Sequence, residues 1–207
     1  MSDPLLQLIS SGLKLWLRSR CTQIGTLELQ IKGSGLGLLT GRLAGVHLSA
    51  REVCFQGLPL QQVTLDSEAI QLDLQVLKPG KMVALQHPFK VTGSVTFQGT
   101  ALNQALLTPP WTWLGDWLAE QLMGITPLGS LRLHDDIVEL EAPIAGSDTP
   151  LQRRFHVNAA QGTVIFESDS TSTPPTALPM DDNIQIEEAT VCAGRLVLHG
   201  HAQVTPD

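Results

Sequence analysis

The sequence predicts an α+β fold, in which a highly curved antiparallel β-sheet is wrapped around or covered by two helical segments. Three observations predict it. Apolar and polar residues alternate along most of the chain, as they do in strands with one buried face. Only two stretches have helical spacing instead. A length of 207 residues is enough for one sizeable core, and no change in composition divides residues 1–207 into separate domains.

The first helical stretch is predicted over residues 1–20. Asp3 is placed to cap this helix, and Pro4 suits its first turn. Its apolar and basic residues are typical of an interfacial helix, and equally of a helix packed on a core with a solvated rim, which is the commoner case. These residues are Leu13, Lys14, Trp16, Leu17, Arg18 and Arg20.

Antiparallel strands are predicted over residues 22–100 and again over residues 128–204. The alternation is clear in FKVTGSVTF, residues 89–97, where apolar residues and glycine occupy every second position. Turns are predicted where glycine and proline cluster, as in GLP at residues 57–59. The polar, proline-bearing segment 168–182 is predicted to be a mobile loop between two late strands.

The second helical stretch covers residues 101–123 and is rich in tryptophan. ALNQALL opens a short helix, Pro109–Pro110 interrupts it, and WTWLGDWLAEQLM resumes it. Trp113 and Trp117 share a helix face because they are four residues apart, whereas Trp111 lies about 200° from Trp113. We expect the pair to pack on the sheet as core, and Trp111 to lie at an exposed rim or membrane foothold.

Composition excludes some classes of function. The chain is 43% hydrophobic and 16% charged, so it has more apolar surface than an average soluble domain. Residues 1–100 contain nine Lys and Arg against six Asp and Glu, residues 101–207 contain four against fourteen, and the net charge of −7 argues against a nucleic-acid partner. Without a signal peptide or a long apolar run, we expect a cytoplasmic protein, peripheral on the inner face of a membrane.

No motif indicates an enzyme, a cofactor or a metal. GSGLGLLTG lacks the Lys-Ser/Thr of a phosphate-binding loop, and no nucleophile motif occurs. His199 and His201 would share one strand face, but no third metal ligand is identifiable by spacing. The cysteines have neither metal-ligand spacing nor a disulfide pattern, which suits a reducing compartment; they are Cys21, Cys54 and Cys192.

Two longer stretches resemble a known family. They are LTGRLAGVHLSAREVCFQGLPLQQVTLDSEAIQLD and GKMVALQHPFKVTGSVTFQGTALNQALLTP. The matching pieces are the glycine-led strand around Gly41 and Gly45, the GL-P turn, the S-x-x-I strand that begins at Ser67, and LN-x-x-L from Leu102. Over roughly residues 22–204 the chain resembles the bacterial LmeA-like phospholipid-binding family, which is similar to tubular lipid-binding proteins.

The resemblance implies a sheet curling around helices, with an apolar interior for acyl chains and no catalytic residues. We therefore expect a non-enzymatic protein that binds phospholipid or another long apolar ligand at a membrane surface. The alternative hypothesis is a scaffold or assembly factor that holds a protein partner in a membrane complex with the same apolar surface. Lipid or membrane contact is expected at Leu13, Lys14, Trp16, Leu17, Arg18, Arg20, Leu106, Leu107, Trp111, Trp113 and Trp117.

Overall fold

The computed structural model describes residues 10, 11, 14, 15, 17–19, 21–33, 37, 40–73, 84–168 and 174–205. In chain order, the strands are β1 (Cys21–Lys32), β2 (Arg42–Leu43), β3 (Gly45–Phe55), β4 (Leu58–Ser67), β5 (Ile70–Asp73), β6 (Ala84–Leu85), β7 (Phe89–Gln98), β8 (Ser130–His134), β9 (Ile137–Ala142), β10 (Leu151–Ala160), β11 (Thr163–Ser168), β12 (Thr176–Ala177), β13 (Ile184–Cys192) and β14 (Arg195–Val204). Two helices, α1 (Gly99–Leu106) and α2 (Thr112–Met123), lie between β7 and β8.

The strands form antiparallel sheets, as predicted, but these strands belong to three sheets rather than one. The six-stranded sheet has the order β1-β3-β4-β7-β14-β13, and the five-stranded sheet has the order β12-β11-β10-β9-β8. β2, β5 and β6 form a small third sheet. Alternation along a strand shows which face is dry, but it does not say which strands pair. The alternation of apolar and polar residues therefore could not predict the number of sheets.

Three hairpins share one kind of tight turn. Gln56 and Gly57, between β3 and β4, both have positive φ values, 50° and 81°. The same combination recurs between β10 and β11 and between β13 and β14. Two successive positive φ values define the turn whose twist matches that of paired strands, and glycine suits its second position. The turn predicted at GLP is thereby confirmed at Gly57, whereas Leu58 and Pro59 already belong to β4.

The interrupted helical segment is also confirmed. α1 and α2 are separated by the Pro109–Pro110 pair, and α2 ends at Gly124 in the left-handed conformation. The Asn103 side-chain oxygen accepts a hydrogen bond from the Leu131 backbone N–H at 2.6 Å, which ties α1 to β8. In the predicted N-terminal helix, the described residues 10, 11, 14, 15 and 17–19 are helical.

The main core lies on the apolar face of the five-stranded sheet. Leu118 and Leu122 from α2 and Val191 from β13 pack with sheet residues such as Leu140, which is 0% exposed. β12 lies within the predicted loop 168–182 and pairs with β11. Within the same segment, Leu178 and Met180 pack on the main core, and residues 169–173 lie outside the described part. A second, small cluster contains Leu43 and Ile70.

Candidate functional site

Two apolar rows cross one face of the six-stranded sheet, which we call the inner face. The strand register places the members of each row opposite one another. The first row is Leu27, Ala50, Val63, Val95, Leu198 and Ala189; the second is Leu29, Leu48, Leu65, Gly93, Gly200 and Ile186. The row between them is polar and belongs to the opposite face: Glu28, Ser49, Thr64, Ser94, His199 and Glu188. One face of this sheet is therefore apolar across all six strands.

A pair of glycines lies near the middle of the inner face. Gly93 on β7 is directly opposite Gly200 on β14. A Cβ atom on Gly93 would lie 2.1 Å from the Thr64 carbonyl oxygen, and one on Gly200 would lie 2.1 Å from the Gln185 carbonyl oxygen. Only glycine fits where backbones approach so closely. The second row consequently has no side chains on two adjacent strands.

The inner face is covered unevenly. At the β13 and β14 end, residues such as Ile186 and Leu198 belong to the main core. At a far corner, Leu43 and Ile70 pack against Ile31, Val46 and Phe89. Between these two clusters are half-buried side chains that belong to neither of them, including Leu27, Leu48, Leu65 and Val95. A long apolar face that is only partly covered has the chemistry to hold an extended apolar ligand.

A group of apolar side chains, which we call the apolar tip, comprises Phe55, Leu107, Trp111 and Trp113. Phe55, Leu107 and Trp113 are 41%, 37% and 56% exposed. The indole N–H of Trp111 donates a hydrogen bond to the Gln56 carbonyl oxygen at 3.0 Å, so this segment lies against the β3–β4 turn. The Trp111 and Trp113 rings lie with their centroids 6.1 Å apart. Neither residues 53–65 nor residues 99–115 contain a charged side chain.

The tryptophan prediction was wrong for Trp113 and correct for Trp117. Trp117 is half-buried and packs on the main core. Trp113 lies in the first turn of α2 and is the most exposed of the described tryptophans, because the buried residues of α2, such as Leu118 and Leu122, lie on the opposite side of the helix. Trp111, expected at an exposed rim, is half-buried against the β3–β4 turn. Phe55 joins this group from a distant part of the sequence, and no motif indicated it.

The other predicted contact residues are distributed over several environments. Leu106 is 3% exposed and belongs to the main core, whereas Leu107 belongs to the apolar tip. In the N-terminal helix, Lys14 and Leu17 are half-buried and Arg18 is exposed. Three further predicted contacts, Leu13, Trp16 and Arg20, lie outside the described residues.

The opposite, polar face of the six-stranded sheet contains paired charges. The His47 ring nitrogen Nδ1 and the Lys32 ammonium lie 3.0 Å and 3.4 Å from Asp66 Oδ1. Hydrogen bonding to His47, and then to Lys32, lowers the pKa of the Asp66 carboxyl. His201 Nδ1 lies 2.7 Å from Glu187 Oε1. No group of three potential metal ligands occurs among the described residues.

A second polar network covers the outer face of the five-stranded sheet. The Glu139 carboxylate is nearly buried there and accepts a hydrogen bond from Arg154 Nε at 2.9 Å. The neighbouring Glu141 accepts hydrogen bonds from Ser130 Oγ at 2.8 Å and from Arg132 Nη1 at 2.9 Å. The Ser130 hydroxyl is the main cause that lowers the pKa of Glu141. These pairs neutralise one another, and this face has the character of a structural network.

Two further observations concern the state of the cysteines and the length of the helices. Cys21, Cys54 and Cys192 are free thiols. Burial, followed by the neighbouring Cys54, raises the pKa of the Cys21 thiol, which favours its protonated form. Among the residues that the structure describes, no helix has the length and apolar character needed to cross a membrane.

Comparison with known proteins agrees with this geometry. A comparison with models of protein families matches residues 2–201 to LmeA-like phospholipid-binding. No curated protein sequence and no solved structure matches the chain. The family match spans nearly the whole of the 207 residues, including both sheets and both helices. The chain therefore belongs to the LmeA-like phospholipid-binding family.

Proposed function

We propose that this protein binds a phospholipid, or another long apolar ligand, against the inner face of the six-stranded sheet. The observation that supports the proposal most directly is the pair of apolar rows, whose central side chains belong to neither core cluster. Burying an acyl chain there removes apolar surface from water, at about 25 cal/mol for each Å². The phospholipid-binding family to which the chain belongs supports the same conclusion.

The protein acts at a membrane surface in this proposal, with the apolar tip as its contact. Trp113 and Phe55 are exposed there, within the uncharged segments 99–115 and 53–65. Tryptophan favours the boundary between water and lipid because its ring is apolar and its N–H is polar. The basic residues Lys14 and Arg18 of the N-terminal helix would add attraction to anionic lipid.

The proposal gives the protein a binding role without catalysis. The titratable clusters of the described residues are ion pairs on the polar faces, away from the inner face. Three free thiols support a reducing compartment, and hence the cytoplasmic side of a membrane.

Organic extraction of the purified full chain, followed by mass spectrometry, tests this proposal. We expect wild-type protein to release phospholipid. Replacing Leu65 by Gln puts an amide in the centre of the inner face, where it would lack hydrogen-bond partners beside an acyl chain, so the released lipid should fall at least severalfold. Leu65 lies opposite Leu48 on β3 and Gly93 on β7.

The matched control is Thr64→Gln, which alters the adjacent residue of β4 in the polar row and should leave lipid release unchanged. Absence of lipid from the wild-type protein would count against the proposal. A protein that co-purifies in place of lipid, and is lost with Leu65→Gln, would instead favour the scaffold hypothesis.

A further inference from the structure

The backbone of β3 is irregular at Glu52, and we call this irregularity the kink. Glu52 on β3 has a φ of 53°, a conformation that side chains other than glycine rarely adopt. Ala50 and Val53 are 4% and 7% exposed, although residues three apart in a regular strand face opposite sides. Gly25 lies beside the kink, where a Cβ atom would be 2.7 Å from Glu52 Oε2. Beyond the kink, Val53 is therefore buried, although regular alternation from Ala50 would place it on the opposite face.

A cleft of about 250 Å³ lies at this kink. Its walls come from β1, β3, β4 and the residues around the start of α1. The polar residues that line it are Gln23, Glu52, Gln61 and Gln98, and the apolar ones include Val53 and Leu60. Cys54 and Pro59, which also line the cleft, flank the turn that presents Phe55 and contacts Trp111. The cleft is therefore next to the apolar tip.

The polar lining has a distinct chemistry. Glu52 is the only ionisable carboxylate in the lining, which includes no Lys, Arg or His. The three glutamine amides can each donate and accept hydrogen bonds. Among the described residues, none of these four side chains has a hydrogen bond or ion pair with another part of the protein. Four exposed polar side chains without a protein partner therefore line one cleft beside the apolar tip.

We propose that this cleft receives the headgroup of the bound phospholipid, and that Glu52 favours headgroups that contain an ammonium group. The inference rests on the proposed function, because the acyl chains lie against the inner face. The carboxylate attracts the ammonium, and the amide N–H groups donate to the phosphate oxygens. An anionic headgroup without an ammonium would meet the Glu52 charge with no cation to offset it.

The test compares two soluble short-chain lipids with identical acyl chains, dihexanoyl phosphatidylethanolamine and dihexanoyl phosphatidylglycerol. Titration calorimetry on the full chain measures both dissociation constants. Because exposed ion pairs contribute modestly, we expect wild-type protein to favour the ethanolamine lipid by roughly two- to fivefold. Glu52→Gln should remove this preference, because it weakens binding of the ethanolamine lipid and relieves the repulsion of the glycerol lipid. Glu28→Gln, which removes the same charge from the polar row, should keep it.

The outcomes separate the two proposals. Equal binding of both lipids by the wild type, or an unchanged preference in Glu52→Gln, overturns the headgroup assignment and leaves lipid binding intact. Binding of neither lipid by the wild type overturns the proposed function itself. Glu52→Gly is a second variant, because glycine adopts a φ of 53° readily and should fold at least as well as the wild type. It should lose the preference in the same way.

Discussion

The apolar faces of the two large sheets are covered to different extents. The apolar face of the five-stranded sheet is closed by α2 and β13, and Leu140 at its centre is 0% exposed. The inner face of the six-stranded sheet is equally apolar, but Leu48 and Leu65 near its middle are half-buried and belong to neither core cluster. A similar alternation of apolar and polar residues therefore gives a closed core on one sheet and a partly covered apolar face on the other.

The difference in coverage suggests that one sheet contributes mainly to stability and the other mainly to binding. A side chain in a closed core contributes its full transfer free energy and leaves a cavity when truncated. A half-buried side chain contributes less to folding, and it is available to a ligand. We infer that the five-stranded sheet and its helices hold the fold together, while the six-stranded sheet supplies the binding surface.

The largest effect should follow from truncating the closed core. We expect Leu140→Ala to lower the free energy of unfolding by about 3 kcal/mol, because a fully buried leucine leaves a cavity. Leu65→Ala removes the same atoms from the inner face and should cost only about 1 kcal/mol, because Leu65 is half-buried. Urea unfolding of the lipid-free protein measures both values. Equal losses would show that the inner face is as much a closed core as the other sheet.

Much of the fold was readable from the sequence. Period-two alternation identified strands such as β7 and β14, and the proline pair separated the two helices as predicted. β4 lies within the predicted strand region 22–100, although Gln61 and Gln62 interrupt its alternation. Their position beside the kink at Glu52 explains the interruption: two residues, rather than one, separate the apolar positions Leu60 and Val63.

The candidate site was less readable. Helical spacing gave Trp113 and Trp117 a common side, but it could not show that the buried side of α2 is the opposite one, which contains Leu118. The contact between Trp111 and Gln56 joins residues 55 positions apart, so no local pattern reports it. Glu52 had no sequence signal, because its proposed role rests on its backbone conformation and on the cleft that it lines.

The two tryptophans of α2 repeat the comparison on a smaller scale. Trp117 packs on the main core, so Trp117→Ala should lower the free energy of unfolding by about 2 kcal/mol, less than a fully buried tryptophan would cost. Trp113 is 56% exposed, so Trp113→Ala should change stability by no more than about 0.5 kcal/mol. The same Trp113→Ala variant should weaken sedimentation with phosphatidylcholine vesicles severalfold, with little dependence on salt, because the apolar tip is uncharged.

Thermal unfolding and vesicle sedimentation of both variants check this prediction. Thr112→Ala, at the neighbouring position of α2, is the control for a local change in the helix. Loss of stability in Trp113→Ala comparable to that of Trp117→Ala would place Trp113 in the core after all. Undiminished vesicle binding by Trp113→Ala would remove the apolar tip from the proposed membrane contact.

The smallest effect concerns the polar faces, where the two sheets again differ. The pKa of Glu141 is lowered below its ordinary value of 4.5, so the ionised carboxylate stabilises the folded state above that pH. This contribution is lost as the pH falls through the lower, folded-state pKa. Glu141→Gln should therefore cost less than about 1 kcal/mol at pH 6, and the difference from wild type should vanish in acid. Urea unfolding at pH 6 and pH 3 measures it, with the exposed Glu120→Gln as control.

Asp66, on the six-stranded sheet, also has a lowered pKa, caused first by its hydrogen bond with His47. Its side chain is 45% exposed, against 15% for Glu141, so solvent screens its interactions more strongly. Asp66→Asn should consequently change the acid dependence of stability less than Glu141→Gln does. The reverse order would mean that the charges of the six-stranded sheet contribute to folding as much as those of the closed half, and that stability and binding are not separated between the two sheets.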